Sequence, residues 1–305
     1  HMTFELFPPV KKLRMRKNTF CLKSRRYIAL ANACSDHLMA SIQRFQSLLP
    51  FETEITFGKP EANSTLLWIN NPGAAARHSR KSPSQRLAAD GIEKYELLCQ
   101  SDTLTIDAAT ENAIYCGLQT LAQIVEDILW RSEKPALTSI PCFTISDWPD
   151  IKARGVMLDI SRTKVPTMET LLALIDQLAT LKYNQLQLYT EHTFAFSNHK
   201  QVWQDASPFT AADIITIRKF CEDRFIDLVP NLNSFGHFER WLRHAEYRHL
   251  AECPEGFIHP FSGEKIPFGS TLKPNAESIK LLQALYDEYL PLFDSQHFNI
   301  GGDEP

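Results

Sequence analysis

Apolar and polar positions follow two alternating periodicities along the second half of the chain. Short apolar runs predict buried β-strands, and between them apolar residues recur every three to four positions, as on one face of an amphipathic helix. The predicted strands are 155–160, 185–189, 226–229 and 297–300, and the predicted helices are 166–181, 211–224 and 275–293. This alternation indicates a parallel sheet covered by helices.

The first half of the chain has a mixed pattern that predicts a smaller α/β domain. The predicted elements are strands 65–69, 95–99 and 103–106, helices 28–49 and 113–129, and a polar, basic surface loop over 72–90. A turn-rich stretch over 141–152, which contains Asp147-Trp-Pro-Asp150, separates the two halves. We therefore predict two domains, 1–145 and 146–305.

The second domain has the pattern of an incomplete barrel. A (β/α)8 barrel of the TIM type needs about 250 residues, whereas about 150 follow the turn-rich stretch, enough for the first four β/α units. An isolated half would leave an apolar strand edge unpaired. We therefore expect a fragment of a longer protein, or a barrel completed from outside, with self-association into a homo-oligomer as one way to cover that edge.

Composition and charge narrow the classes of function. The chain is 44% hydrophobic and 22% charged, as in globular proteins. Its net charge of −4 gives no electrostatic reason to expect nucleic acid or an anionic membrane as partner, and no run of about 18 apolar residues predicts a membrane span.

The seven cysteines are scattered and include no Cys-x-x-Cys pair, so neither a zinc site nor a dense disulfide framework is expected. This pattern favours a reducing compartment such as the cytoplasm. The opening His1-Met2 is typical of a cloning remnant, which leaves a trimmed signal peptide open.

Polar residues suited to a sugar site stand at the end of each predicted strand of the second half, where α/β barrels keep their chemistry. They are Arg154 just before the first strand, Asp159 at its end, Glu191 and His192 after the second, His237 after the third, and Asp303 and Glu304 after the fourth. Each residue alone has an ordinary structural explanation, such as a domain-bracing arginine or a solvated acid. Their convergence from four strand ends is what indicates a catalytic site.

The two adjacent carboxylates close the fourth unit, after Gly301-Gly302. Neighbouring residues of an extended strand point to opposite sides. Asp303 and Glu304 are therefore expected to do different jobs, one facing a reacting bond while the other holds a group beside it.

Three segments, 153–161, 233–237 and 299–304, together resemble glycoside hydrolase family 20, the β-N-acetylhexosaminidases, and residues 95–121 resemble that family's accessory domain. The resemblance implies a small α/β accessory domain followed by the first half of a (β/α)8 catalytic barrel. It also implies removal of terminal, non-reducing β-linked N-acetylglucosamine or N-acetylgalactosamine. Such enzymes are substrate-assisted: the 2-acetamido oxygen attacks the anomeric carbon and forms an oxazolinium intermediate.

The resemblance also implies roles for the strand-end residues. Glu304 would be the general acid and then the base, and Asp303 would orient the acetamido N–H. Arg154 would hydrogen-bond sugar hydroxyls, with His237 supporting that subsite. Where many family members carry an Asp-Asp pair, this chain has Glu191-His192. No metal or organic cofactor follows from this chemistry, and the expected partner is a glycan or glycoside that ends in N-acetylhexosamine.

Two alternatives stay open. The first is a non-catalytic carbohydrate-binding or scaffolding protein on a hexosaminidase-like fold, because the family's aromatic residues around the acetamido group come from strands five to eight. With those strands missing, the 305 residues alone are expected to hydrolyse little or nothing. The second is another α/β-barrel glycosidase that uses two separated carboxylates and does not need the acetamido group.

Overall fold

The computed structural model describes residues 4–59, 63–71, 93–132 and 137–304, so the predicted loop over 72–90 lies outside the described residues. The chain divides into two compact units. The first comprises residues 1–154 with 175–184 and 222–226, and the second comprises the rest. The predicted domain boundary between residues 145 and 146 stays a prediction.

The first unit is built on a mixed sheet and two long helices. Its strands are β1 (Lys12–Cys21), β2 (Tyr27–Leu30), β3 (Glu54–Phe57), β4 (Thr65–Asn70), β5 (Tyr95–Cys99), β6 (Leu104–Ala108) and β7 (Ser139–Asp147), and its helices are α1 (Asp36–Leu48) and α2 (Glu111–Arg131). The strand order is β1-β7-β5-β6-β4-β2-β3. Strands β5, β7 and β1 pair antiparallel, and β5 and β6 form an antiparallel hairpin, whereas β6, β4, β2 and β3 are parallel.

Local sequence signals set where the two helices begin. The side chains of Ser35 and Thr110 each accept a hydrogen bond from a backbone N–H of the first turn, that of Leu38 in α1 and that of Ala113 in α2. Such caps satisfy N–H groups that have no partner within the helix. From these starts, each helix carries a face of fully buried apolar residues, among them Ile42 in α1.

Two predictions for the first unit are wrong in part. The helix predicted from residue 28 begins only at Asp36, because Tyr27–Leu30 is a buried strand between β3 and β4. A short apolar run has the same appearance in a buried strand and in a helix. The turn-rich stretch from 141 is strand β7 as far as Asp147, and Pro141 lies at an irregularity in its pairing with β1, where a missing N–H is tolerated.

From residue 155 onward, the first three predicted strands and the three predicted helices occur in the predicted order, together with two short helices and a two-stranded antiparallel hairpin that were not predicted. The elements are β8 (Gly155–Asp159), α3 (Met168–Thr180), β9 (Gln185–Tyr189), α4 (Lys200–Trp203), α5 (Ala211–Glu222), β10 (Asp227–Val229), α6 (Glu239–Leu242), β11 (Phe257–Ile258), β12 (Lys265–Ile266) and α7 (Ala276–Tyr289). Strands β8, β9 and β10 form a parallel sheet with β9 in the centre. Their carboxyl ends therefore meet at one edge of the sheet. No helix among the described residues is both long and apolar enough to cross a membrane.

The predicted fourth strand is reduced to a single bridge. Asn299 pairs in parallel with Asn231, beyond the end of β10, through the hydrogen bonds of Leu232 N–H to Asn299 O (3.1 Å) and of Asn299 N–H to Pro230 O (3.0 Å). Gly301 and Gly302 follow with φ of 72° and 99°, which ends the extended backbone at once. The predicted position in the sheet is therefore occupied, but not by a regular strand.

Candidate active site

The site begins at the carboxyl end of β8, where Asp159 fixes the turn that follows. The backbone N–H groups of Ser161 and Arg162 donate to Asp159 Oδ1 (2.8 and 3.1 Å), and Arg162 Nη1 donates to Oδ2 (2.8 Å). Burial favours the neutral acid, but the two N–H groups and the guanidinium outweigh it and lower the pKa of Asp159. Asp159 is thus a charged anchor for the side chain of Arg162.

Arg162 is held between the ends of β8 and β9. Its guanidinium lies over the ring of Tyr189, 4.8 Å from the centroid, and its Nη1 is 3.3 Å from Glu191 Oε1. Burial lowers the pKa of Arg162. Hydrogen bonding to Tyr189 and Asp159 and the charge of Glu191 outweigh this effect, so the pKa is raised. Half of the side chain is exposed. Arg162 therefore stays charged and still has surface available for a ligand.

Glu191 is the buried acid of the site. The Tyr189 hydroxyl donates to its Oε1 (3.0 Å), its backbone N–H donates to Ser161 Oγ (2.9 Å), and its carbonyl accepts from Trp241 Nε1 (2.9 Å). Burial raises the pKa of Glu191, while the Tyr189 hydroxyl and Arg162 act in the opposite direction. A buried acid with three such partners is fixed in place, and its ionisation depends on them.

Tyr189 is oriented in turn from β10. The Nδ2 of Asn233 donates to the Tyr189 hydroxyl (2.7 Å), so the hydroxyl proton is directed at Glu191. Burial raises the pKa of Tyr189 to about 12, so it remains a donor. Asn233, Tyr189 and Glu191 therefore form one hydrogen-bonded chain from β10 to the acid.

His237 lies between the buried acid and the two carboxylates at the end of the chain. Its Nδ1 is 3.4 Å from Arg162 Nη2 and 3.7 Å from Glu191 Oε1, and its Nε2 is 3.3 Å from Asp303 Oδ2 and 3.6 Å from Glu304 Oε2. Because Arg162 can only donate, we infer that Nδ1 of His237 accepts and that Nε2 carries a proton. Nε2 is buried without an aligned hydrogen bond from any described residue, so this proton faces the carboxylates at ion-pair range.

The two glycines bring Asp303 and Glu304 to this position. A Cβ on Gly301 would lie 2.0 Å from Asn233 Oδ1, and φ at Gly301 is in the left-handed region, so only glycine fits. Ser234 Oγ donates to the Ile300 carbonyl (2.7 Å) and ties the segment to the loop after β10. Asp303 is half exposed, and Glu304 is mostly exposed, with its backbone at a φ of 44°. The acid pair is thus presented outward with His237 behind it.

These groups also meet a geometric criterion for a metal site. His237, Asp303 and Glu304 each offer one ligand atom, and these three atoms lie within 4.8 Å of one another. Exposed acidic groups often adopt such spacing without an ion, so the geometry alone does not indicate a metal centre.

Arg154 belongs to the first unit, where its Nη2 pairs with Glu93 Oε2 at 2.6 Å and its Nε donates to the Lys182 carbonyl (2.9 Å). Its Nη1 donates to the carbonyls of Ile151 and Lys152 (2.8 and 3.1 Å). A guanidinium with its donors occupied in this way braces the fold of the first unit, and the sugar contact expected of Arg154 stays a prediction.

His192 also differs from the expectation. It is buried, and its Nδ1 has no hydrogen-bond partner among the described residues. Burial, together with Arg240 and Arg243, lowers the pKa of His192 to about 4, so the ring is neutral at physiological pH. Its buried Nδ1 offers no surface to a ligand.

Arg162, Tyr189 and Asn233 also belong to the site, although no role was assigned to them from the sequence. Arg162 had a detectable signal, because an aspartate that ends a strand commonly fixes the next turn through its side chain and so positions the residues of that turn. Asn233 lies within segment 233–237, which carries the resemblance, but its role and that of Tyr189 depend on the register between β9 and the segment after β10.

Comparisons with known proteins give the same family for both halves. Residues 152–305 match the catalytic domain of glycosyl hydrolase family 20, and residues 3–148 match domain 2 of that family. Beta-hexosaminidase subunit A2 of Dictyostelium discoideum is 26% identical over 285 residues, which cover 90% of this chain and 48% of that protein.

Solved structures agree in fold. The chitobiase of Flavobacterium johnsoniae superposes with a TM-score of 0.77 at 24% identity over 100% of this chain and 46% of that one. An exo β-N-acetylglucosaminidase of Vibrio harveyi in complex with N-acetylglucosamine gives 0.72 at 18% identity, over 98% and 47%. The predicted fold class is confirmed, and the chain spans about half the length of these relatives. With family matches over both halves, the chain belongs to glycosyl hydrolase family 20.

Proposed function

We propose that the protein of which this chain forms a part removes terminal β-linked N-acetylhexosamine from glycans or glycosides by substrate-assisted, retaining catalysis. One observation carries the proposal. His237 brings a buried acid, Glu191, and an outward-facing pair, Asp303 and Glu304, within 3.3–3.7 Å of its two ring nitrogens. Membership of family 20 and the relative that holds N-acetylglucosamine support the substrate class.

The roles are those that the family resemblance implies for each group. Glu304 is the general acid that protonates the leaving oxygen and the base that then activates water. Asp303 accepts the acetamido N–H and stabilises the positive charge that develops as the acetamido oxygen attacks the anomeric carbon. His237 directs its Nε2 proton at both carboxylates. It thereby positions them and reduces the electrostatic repulsion between them.

Arg162, rather than Arg154, is assigned to the sugar hydroxyls. Its charge is fixed by Asp159 and Glu191, and half of its side chain is exposed. A planar guanidinium can donate to two vicinal hydroxyls at once. Glu191 and Asp159 hold it in place, and Glu191 can also accept from a hydroxyl. His192 is given no direct sugar contact.

The test uses the complete gene product, purified with Glu304→Gln or Asp303→Asn and assayed on chromogenic N-acetylglucosaminides. Glu304→Gln should lower kcat by about 10²–10⁴-fold on a substrate with a poor leaving group. The loss should be much smaller on a dinitrophenyl glycoside, whose leaving group needs no proton. Asp303→Asn should lower kcat on both substrates. Glu264→Gln, an exposed acid beside β12, is the matched control.

The outcomes separate the alternatives. Full activity of Glu304→Gln would remove Glu304 as the acid. N-acetylglucosamine binding by the wild-type gene product without turnover would favour a carbohydrate-binding protein. Equal rates on substrates with and without the acetamido group would favour a glycosidase with two separated carboxylates.

A further inference from the structure

An exposed basic strand lies at one edge of the first unit, and the candidate active site does not account for it. Residues 11–26 contain eight lysines and arginines and no acidic residue, in a chain whose net charge is −4. The net charge thus conceals a local positive segment. Most of it is β1, which is the edge strand of the sheet and pairs with β7.

Three of the basic side chains in this segment already have partners within the fold. Lys11 pairs with Asp150, and Lys12 lies over the ring of Trp148 at 5.7 Å. Arg25 is buried, and it donates to the carbonyls of Cys21 and Thr65. These three cations serve the fold.

Arg14, Arg16 and Lys17, here called the basic edge, are different. All three are exposed, and none of them forms an ion pair with an acid in the described part of the chain. Among the described residues, Arg16 donates a side-chain hydrogen bond to Thr144 Oγ1, at 3.1 Å. Arg14 and Arg16 are two positions apart on the strand and so share one face, about 7 Å apart along it.

We propose that the basic edge binds an anionic glycan, a polysaccharide that carries sulfate or carboxylate groups on successive sugars. Clusters of lysine and arginine over five to eight residues are typical of polyanion and heparin-like patches. An extended strand presents its charges in a row, which suits an extended chain with regularly spaced anions. The choice of a glycan rests on the proposed function, because an enzyme that trims glycans gains local substrate concentration from a second contact with the polymer.

Other polyanions fit the surface less well. Single-stranded nucleic acid is usually bound with aromatic side chains on which bases stack, and the exposed row from Lys12 to Lys17 contains no aromatic residue. The ring of Trp148 nearby is already covered by Lys12 and Lys94, at 5.7 and 5.9 Å. A membrane surface would call for exposed apolar residues beside the charges, whereas Leu13 and Met15 are partly buried.

The test measures binding of a fluorescent heparin octasaccharide by fluorescence anisotropy at low salt, with the complete gene product. The variant Arg14→Gln/Arg16→Gln/Lys17→Gln removes the charge and keeps the side-chain length. We expect affinity to fall by about tenfold or more, and wild-type affinity to decrease steeply as salt is added. Lys59→Gln, after β3 at the opposite edge of the same sheet, is the matched control and should bind as wild type.

Several outcomes would overturn the proposal. The first is unchanged affinity of the triple variant, and the second is an equal loss in the Lys59→Gln control. The third is tighter binding of oligothymidylate or of phosphatidylserine vesicles than of the octasaccharide. Absence of any binding by wild type would mean that the charges serve only to keep the sheet edge from pairing with other strands.

Binding is read without hydrolysis, so the result does not depend on the catalytic roles. A neutral N-acetylglucosamine hexamer, used as competitor, should leave the octasaccharide bound. If the hexamer displaces it instead, the octasaccharide occupies the active site and the basic edge is not its binding surface. Thermal melts of the triple variant should match those of wild type, because none of the three side chains is buried.

Discussion

Two arginines on either side of β8 illustrate how differently the same side chain is used in the two units. Arg154 precedes the strand, and its guanidinium is shared between Glu93 and three backbone carbonyls. Arg162 follows the strand and pairs with Asp159 and Glu191, with half of its side chain exposed. The first arginine has its donors occupied by the fold, whereas the second retains donors for a ligand.

The acids that partner these arginines show the same contrast. Glu93 is buried and also accepts from Asn112 Nδ2 (2.7 Å), within a closed network of the first unit. Glu191 is equally buried, but beyond it lie His237 and the outward-facing carboxylates. A charged residue is therefore better judged by the hydrogen bonds that it still has available than by its charge or its place in a motif.

The largest expected effect is on stability, from Arg154→Met. The substitution leaves Glu93 buried without its ion-pair partner, so the free energy of unfolding should fall by about 3–5 kcal/mol. Urea titration followed by circular dichroism measures it. Adding Glu93→Gln should recover part of the loss, because the unpaired charge is then gone.

Arg131→Met is the control for this comparison. Arg131 pairs with Asp127 and Glu5 at the surface of α2, so the loss should stay below about 1 kcal/mol. If Arg154→Met proved as mild as Arg131→Met, Arg154 would not be the brace that its contacts indicate.

The sequence predicted the architecture of the barrel half because its strands and helices are periodic over enough residues. It did not predict β1, β3 or β7 in the first unit. Tyr27–Leu30 was predicted as part of a helix, because only the pairing with β3 and β4 shows that this apolar run is a buried strand. These elements depend on neighbours that are remote in sequence.

For the candidate site, the strand-end rule identified the acids and His237, which the structure brings within ion-pair distance. Arg154, and not Arg162, was assigned the sugar contact from the sequence. The two stand eight positions apart, and both flank an apolar strand. Only the contacts of each guanidinium separate them, and these come from Glu93 and Lys182 in one case and from Tyr189 and Glu191 in the other.

The next effect in size is on ligand affinity, from Arg162→Met in the complete gene product. Loss of hydrogen bonds from a charged donor should weaken N-acetylglucosamine binding by about 10–100-fold. The free energy of unfolding should change by only about 1 kcal/mol, because Arg162 is half exposed and Glu191 keeps the Tyr189 hydroxyl as a donor. Isothermal titration calorimetry and urea titration on the same preparation measure both quantities. Stability loss with unchanged affinity would reverse the assignment of the two arginines.

The smallest effect, on ionisation, is expected from Tyr189→Phe. The Tyr189 hydroxyl donates to Glu191 and favours its charged form, against the burial that raises the pKa of Glu191. Removing that donor should raise the pKa further, so Glu191 becomes protonated at a higher pH as the solution is acidified. A protonated Glu191 no longer pairs with Arg162. Sugar affinity should therefore begin to fall at a higher pH than in wild type. Above that pH, the affinity of the variant should lie less than about tenfold below that of wild type.

Carbon-13 NMR titration of the carboxyl groups reports the ionisation directly. Tyr183→Phe, in the first unit, should leave the titration unchanged. A Glu191 titration that moved to lower pH in Tyr189→Phe would mean that the hydroxyl accepts rather than donates at this contact, and the proton order from Asn233 to Glu191 would have to be reversed.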